Sequence, residues 1–236
     1  MKIGNREFDV NNDTYVMGIL NVTPDSFSDG GKFNNLEAAL AHTEEMIKEG
    51  ATIIDVGGES TRPGGYTLIS DEEEIGRVVP VIRAIKEKFD IPVSIDTYKS
   101  KVAKAAIAAG ADLVNDIWGL KYDKNMAKVI ADAGVACCLM HNRDNMEYTS
   151  FMDDMLADLR ETIQLAKEAG IADDKIMLDP GVGFAKSYEN NLEAIQKVGR
   201  LHELGYPVLL GTSRKSVIGL TLDTTKDERV EGTLVT

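Results

Sequence analysis

A chain of 236 residues with 43% hydrophobic and 28% charged residues has the composition of a soluble globular domain able to bury a sizeable core. Its formal net charge of −13 argues against nucleic acid or an anionic membrane surface as partner, so any cations that hold an anionic substrate must be local. No apolar run approaches the ~20 residues of a membrane helix, and no basic start followed by an apolar segment marks a secretory signal, so the expected location is cytoplasmic.

A hairpin or edge is expected over residues 2–12, then a strand over 15–20 ending at Asn21. The loop 23–31 follows, rich in Gly and Ser, and then a helix over 36–48 with Asn34 and Glu37 spaced as a capping box. Strand 53–56 carries Asp55 and opens into a second Gly-rich loop, 57–65. Ser70 and Glu73 are spaced as a capping box for a helix to about 88, after which strand 92–95 ends at Asp96. Helix 100–110, strand 113–114 with Asn115 and Asp116 at its tip, and helix 124–134 repeat the unit. Strand 135–140 then ends at His141, ahead of an acidic amphipathic helix over 151–170. Apolar 176–178 stops at Asp179, with Pro180, Gly181 and Gly183 turning the chain toward a helix over 188–205. Last, strand 207–210 empties into residues 211–216.

Seven strand–helix units with Gly50, Gly110, Gly134, Gly170 and Gly205 at the helix-to-strand joints predict an α/β fold with parallel strands and right-handed crossovers. No linker or composition shift divides the chain, so residues 1–236 are read as a single domain. Polar strand tips and the lack of G-x-G-x-x-G after the first strand favour a TIM (β/α)8-type barrel over a doubly wound sheet, here open or incomplete because only seven units are visible.

In such a barrel the polar tips converge: Asn21, Asp55, Asp96, Asn115, Asp116, His141, Asp179 and the group 213–215. Carboxylates with an amide suit a ligand presenting several N–H donors along a planar edge, such as an aminopyrimidine or pterin. Arg62, Arg214 and Lys215 supply the cations for an anion, and Asn21 could give one oxygen to Mg²⁺. Structural roles compete. A strand-end Asp often caps a loop, as Asp55 could, while His42 and His202 lie mid-helix as surface or packing residues. His141 could line the pocket, and Trp118 and Phe184 could stack on a flat ring or simply pack. No histidine pair has metal-ligand spacing, and adjacent Cys137 and Cys138 read as buried small hydrophobes.

The runs Met17–Gly31, Gly58–Gly64, Ser94–Thr97, Val114–Ile117, Asp179–Phe184 and Gly211–Ser216 together resemble the dihydropteroate synthase family, in the right order and over the whole chain. The resemblance implies Mg²⁺-assisted condensation of 6-hydroxymethyl-7,8-dihydropterin diphosphate with p-aminobenzoate in folate biosynthesis, in a cytoplasmic sulfonamide target that forms a homodimer. Carried over motif by motif, it assigns Asp96, Asn115 and Asp179 to the pterin edge, Lys215 to the ring carbonyl, and Met140 and Phe184 to the slot. It gives Asn21 to the metal, Thr61 and Arg62 to the diphosphate, and Phe27, Ser28, Pro63 and Ser216 to p-aminobenzoate; Asp96, Arg62 and Lys215 form the catalytic set. Family members also end in an eighth strand with an R-x-H pattern, and this sequence stops at Thr236 without it. The expectation is therefore a C-terminally incomplete barrel of low activity, with exposed flanks at its first and last strands. The rival readings are a pterin-binding module without synthase activity and an aldolase-type barrel using Lys215 as a Schiff base.

Overall fold

The computed structural model describes residues 1–23, 32–60 and 68–236, with the backbone alone at 32–35. A short antiparallel hairpin, β1 (Lys2–Ile3) and β2 (Arg6–Glu7), precedes the main sheet. Six parallel strands follow in sequential order: β3 (Val16–Asn21), β4 (Ala51–Gly57), β5 (Val93–Asp96), β6 (Leu113–Asp116), β7 (Ala136–Met140) and β8 (Ile176–Asp179). Between them run α1 (Lys32–Lys48), α2 (Asp71–Lys88), α3 (Ser100–Ala108), α4 (Met126–Ala133) and α5 (Phe151–Glu168). Then come α6 (Tyr188–Gln196), α7 (Ser216–Leu222) and α8 (Val230–Leu234). This is the expected α/β barrel grammar with the sheet left open.

Side-chain alternation divides the sheet into two faces. Leu20, Ile54, Val56, Ile95, Val114, Leu139 and Leu178 pack outward with the helices. Ile53, Leu113, Ala136, Cys138 and Met177 form a separate inner layer, closed from below by Ile3 and Phe8 of the hairpin segment. The hairpin thus plugs the end opposite the polar tips. Both cysteines are free and buried.

Four local expectations are corrected. The seventh strand, 207–210, is reduced to a bridge between Leu178 and Val208, held by bonds from Leu178 N–H to Pro207 O (2.9 Å) and from Leu209 N–H to Leu178 O (2.8 Å). Pro207 has no N–H to give, and the segment is only half-buried. The helix expected over 188–205 leaves α geometry after Gln196 and continues as a 3-10 turn, Val198–Leu204, where Gly199 weakens the α-helix. Helix α1 begins at Lys32, which puts Asn34 inside it and removes that residue as the cap. At Ser70 only half of the box forms: its hydroxyl accepts from Glu73 N–H, while the Glu73 carboxylate turns to Arg77. On the open flank, Val16 and Ile19 of β3 are 59% and 57% exposed.

Candidate active site

Strand register builds the site. Asn21 lies beside Gly57, Gly57 beside Asp96, and Asp96 beside Asn115, which makes one row across four strands. Met140 pairs with Asp179 farther along the sheet. All of these share the alternation of the inner layer, so their side chains rise from the same face. Glycines leave the floor of the row open. A Cβ on Gly57 would stand 3.5 Å from both Asn21 Oδ1 and Asp96 Oδ2, and one on Gly211 would stand 3.8 Å from Asp179 Oδ2.

The acidic acceptors of this row are buried. Asp96 Oδ1 is buried with no hydrogen-bond partner among the described residues. Burial raises the Asp96 pKa well above the usual range, helped by the charges of Asp55, Glu74 and Asp116 and opposed by Lys215. Burial also raises Asp179, opposed by the Gly181 N–H, which donates to its Oδ1 at 2.6 Å, and by the charges of Lys215 and Lys186. Asp55, one step below the row, accepts from Asn115 Nδ2 at 3.1 Å and so orients that amide. Its Oδ1, like that of Asp96, is buried with no hydrogen-bond partner among the described residues.

A flat apolar wall completes the site. Met140, Tyr98 and Ile117 form a small buried cluster with Trp118 and Phe184 packed against it. Lys215 Nζ lies 4.5 Å from the centre of the Phe184 ring, a cation–π distance, just ahead of α7 and its first residue, Ser216. Thus Asn21, Asp96, Asn115, Met140, Asp179, Phe184 and Lys215 belong to one end of the sheet. Phe27, Ser28, Thr61, Arg62 and Pro63 lie outside the described residues.

Two tips do not join them. Asp116 has the opposite alternation, is buried, and accepts from Trp118 N–H (2.9 Å) and Leu120 N–H (2.8 Å) as a loop cap. Burial raises its pKa to about 6 against those two bonds. His141, expected as a candidate pocket residue, faces the helix layer instead. It is 2% exposed and its Nε2 lies 3.0 Å from Asp158 Oδ2 on α5. Alternation is the signal that separates both from their neighbours Asn115 and Met140.

The turn behind Asp179 is tightly specified. Gly181 has φ +68°, and an added Cβ would overlap the His141 carbonyl oxygen. Gly181→Ala should therefore cost roughly 1–3 kcal/mol from backbone strain alone, visible as a lowered Tm. An unchanged melting curve would contradict this close approach.

Comparison with known proteins gives a consistent picture. Residues 17–236 match the family described as Pterin binding enzyme. The chain is 65% identical over 236 residues to a dihydropteroate synthase of Clostridium beijerinckii, covering 100% of this chain and 87% of that one. A crystal structure of dihydropteroate synthase from Clostridium difficile in the presence of pteroic acid superposes with a TM-score of 0.94 at 51% identity, covering 97% of this chain and 87% of that chain. One from Xanthomonas albilineans with 4-aminobenzoic acid gives a TM-score of 0.89 at 43% identity, covering 95% and 82%.

Proposed function

The chain belongs to the pterin binding enzyme family, among its dihydropteroate synthases, and we propose that the strand-end row is where it binds the pterin and couples it to p-aminobenzoate. The reaction is a transferase step of folate biosynthesis. The observation that carries the placement is the buried, unpartnered Asp96 Oδ1, which shares its row with Asn115 and its face with Asp179. Such a set of acceptors calls for N–H donors on one edge of a flat ring. Phe184 and Met140 suit the ring's apolar surface, and Lys215, beside the Phe184 ring, suits a ring carbonyl as its acceptor.

In the reaction, the bond between the pterin methylene and the diphosphate oxygen breaks, with the electron pair leaving on pyrophosphate. Positive charge then develops on the methylene and is shared with the pterin ring. The Asp96 carboxylate, whose ionised form Lys215 and the N–H donors of bound pterin favour, stabilises it from a low-dielectric position, which makes its interaction stronger than in water. The neutral amine of p-aminobenzoate forms the new C–N bond and gives up its proton to the departing pyrophosphate or to water. No enzyme nucleophile is needed. We assign Thr61 and Arg62 to the diphosphate, and Phe27, Ser28, Pro63 and Ser216 to the p-aminobenzoate side.

Asn21 fits a magnesium role of a particular kind. Among the described residues no group of three or more His, Cys, Asp or Glu side chains could hold a metal, and of these residues Asn21 would offer its side-chain carbonyl oxygen. Mg²⁺ is commonly held by one or two protein oxygens, substrate phosphates and water. Bound there, it would neutralise diphosphate charge. We further assign a homodimer in the cytoplasm, a location that two free, buried cysteines suit.

Calorimetric titration with the pterin diphosphate and Mg²⁺ should show one saturable site. Adding p-aminobenzoate should then release pyrophosphate in equal amount to the amine consumed. Pterin binding without consumption of p-aminobenzoate would assign a binding module and overturn the synthase reading of this chain.

A further inference from the structure

Lys186 is 7% exposed, an unusual place for an ammonium, and no step of the reaction above uses it. Its Nζ lies behind the Asp179–Phe184 turn, 3.0 Å from His141 Nδ1, 2.9 Å from the Phe184 carbonyl oxygen and 3.4 Å from the His141 carbonyl oxygen. Those three acceptors match the three protons of an ammonium. His141 is locked in one tautomer. Its Nε2 faces the Asp158 carboxylate, which can only accept, so Nε2 carries the proton and Nδ1 is left to accept from Lys186.

The arrangement closes on itself. Arg143 Nε donates to Asp158 Oδ2 at 2.5 Å, and the Arg143 guanidinium lies 4.4 Å from the centre of the Tyr148 ring. Tyr148 Oη donates to the carbonyl of Ala185, next to Lys186, at 2.9 Å. From the other side Asn191 accepts from Gly183 N–H at 2.6 Å and donates to the Lys186 carbonyl at 3.2 Å. The turn that carries Asp179 and Phe184 is thus bound from behind by Lys186, Tyr148 and Asn191.

We propose that Lys186 is a positioning residue for pterin binding: its ammonium ties the Phe184 carbonyl to His141 and so fixes the turn that carries Asp179 and Phe184. The inference rests on the reading that Asp179 meets the pterin edge. The charged and titratable groups around Lys186 are His141, Arg143 and Asp158 on the helix side, and Asp179 and Lys215 on the pocket side. Burial, the largest influence, lowers the Lys186 pKa to about 7; Asp179 opposes this, while Lys215 and Arg143 add to it. Burial likewise lowers His141 to about 4, so the imidazole stays neutral throughout the range in which Lys186 titrates.

The sign of the effect follows from linkage. Donors from the pterin favour ionised Asp179, which favours the ammonium, so pterin binding raises the Lys186 pKa. Affinity for pterin should be highest below pH 7 and fall as the pH rises through the free-protein value of about 7. Ionisation of Asp96 and of Asp179 acts in the opposite direction; that of Asp96 is common to wild type and variant, so the difference between their profiles reports Lys186 together with its coupling to Asp179.

Binding of 6-hydroxymethyl-7,8-dihydropterin, which has no phosphate to titrate, would be measured by calorimetry from pH 6 to 9 for wild type and Lys186→Met. The variant should bind about 10-fold more weakly at pH 6.5. Its affinity should also lack the decline that wild type shows as the pH rises. Equal affinity with an identical profile would overturn the proposal, whereas absence of binding by the wild type would sink the pterin reading itself. If the methionine variant does not fold, the Nζ resonance of Lys186 in ¹⁵N-lysine-labelled wild type decides. Its titration should move to higher pH on pterin binding, and an unmoved titration overturns the inference.

Discussion

Asparagine at position 179 should weaken pterin binding by roughly 100- to 1,000-fold, the cost of leaving ring donors without a buried anionic partner. The substitution preserves shape and leaves an oxygen for the Gly181 N–H, which now donates to Asp179 Oδ1 at 2.6 Å. It removes the charge and sets an NH₂ group against the N–H edge of the ligand. Stability should move the other way. Burial raises the folded pKa of Asp179 above the ordinary 3.8, against the Gly181 N–H and the charges of Lys215 and Lys186. An acid with a raised folded pKa favours the folded state most when protonated. That stability is fully present below the unfolded value and is lost as the pH rises through the folded one. Once the pH has risen through that folded value the ionised Asp179 costs stability, and Asp179→Asn should melt at the wild-type temperature or slightly above it. Calorimetric titration and thermal melts on the same samples check both halves. Pterin affinity within about 3-fold of wild type would refute the assignment of Asp179 as the ring's anchor.

Much of this site could be read from strand ends, but alternation within each strand decides which tips take part. Asn21, Asp96, Asn115, Met140 and Asp179 share the inner face with the lower layer of Ile53, Leu113 and Met177. Asp116 and His141 directly follow inner-face residues and so point to the helix side, where backbone N–H groups and Asp158 occupy them. A polar strand tip is a weak signal by itself; counting residues in twos from a core position makes it stronger. The open end of the sheet was harder to read. Residues 207–210 have the apolar character of a strand, but among the described residues they form a single bridge, from Leu178 to Val208. Lys186 was invisible in sequence because a lysine in a Gly- and Ser-containing turn resembles a solvated loop residue. Only the fold brings His141 and the Phe184 carbonyl around its amine.

The same limit hid a second buried cluster, whose loss should affect stability more than any other single change considered. Lys99 bonds Glu59 at 2.6 Å and Glu74 at 2.8 Å, and all three side chains are almost fully buried. Tyr98 Oη also donates to Glu59, while Ile69 donates its N–H to Glu59 (3.1 Å) and gives its carbonyl oxygen to Lys99 (2.8 Å). The triad therefore holds Glu59 and Ile69 together, at the two ends of the segment that contains Thr61, Arg62 and Pro63. Lys99→Met would strand two buried carboxylates, a change that costs about 3–5 kcal/mol and should lower Tm by about 10 °C in a domain of this size. Adding Glu59→Gln and Glu74→Gln should restore most of the loss, because neutral amides can share the remaining hydrogen bonds. The pH dependence separates stranded charge from lost packing. In wild type, burial pushes Glu59 up, but bonds from Lys99, Tyr98 and Ile69 outweigh it and leave the pKa lowered; burial prevails at Glu74, which is raised. Without Lys99 both folded values rise, and acids with raised folded pKa values recover stability as the pH falls and they protonate. The Tm deficit of Lys99→Met should therefore shrink between pH 7 and pH 5, and a deficit that stays constant over that range would show that the triad acts through packing rather than charge.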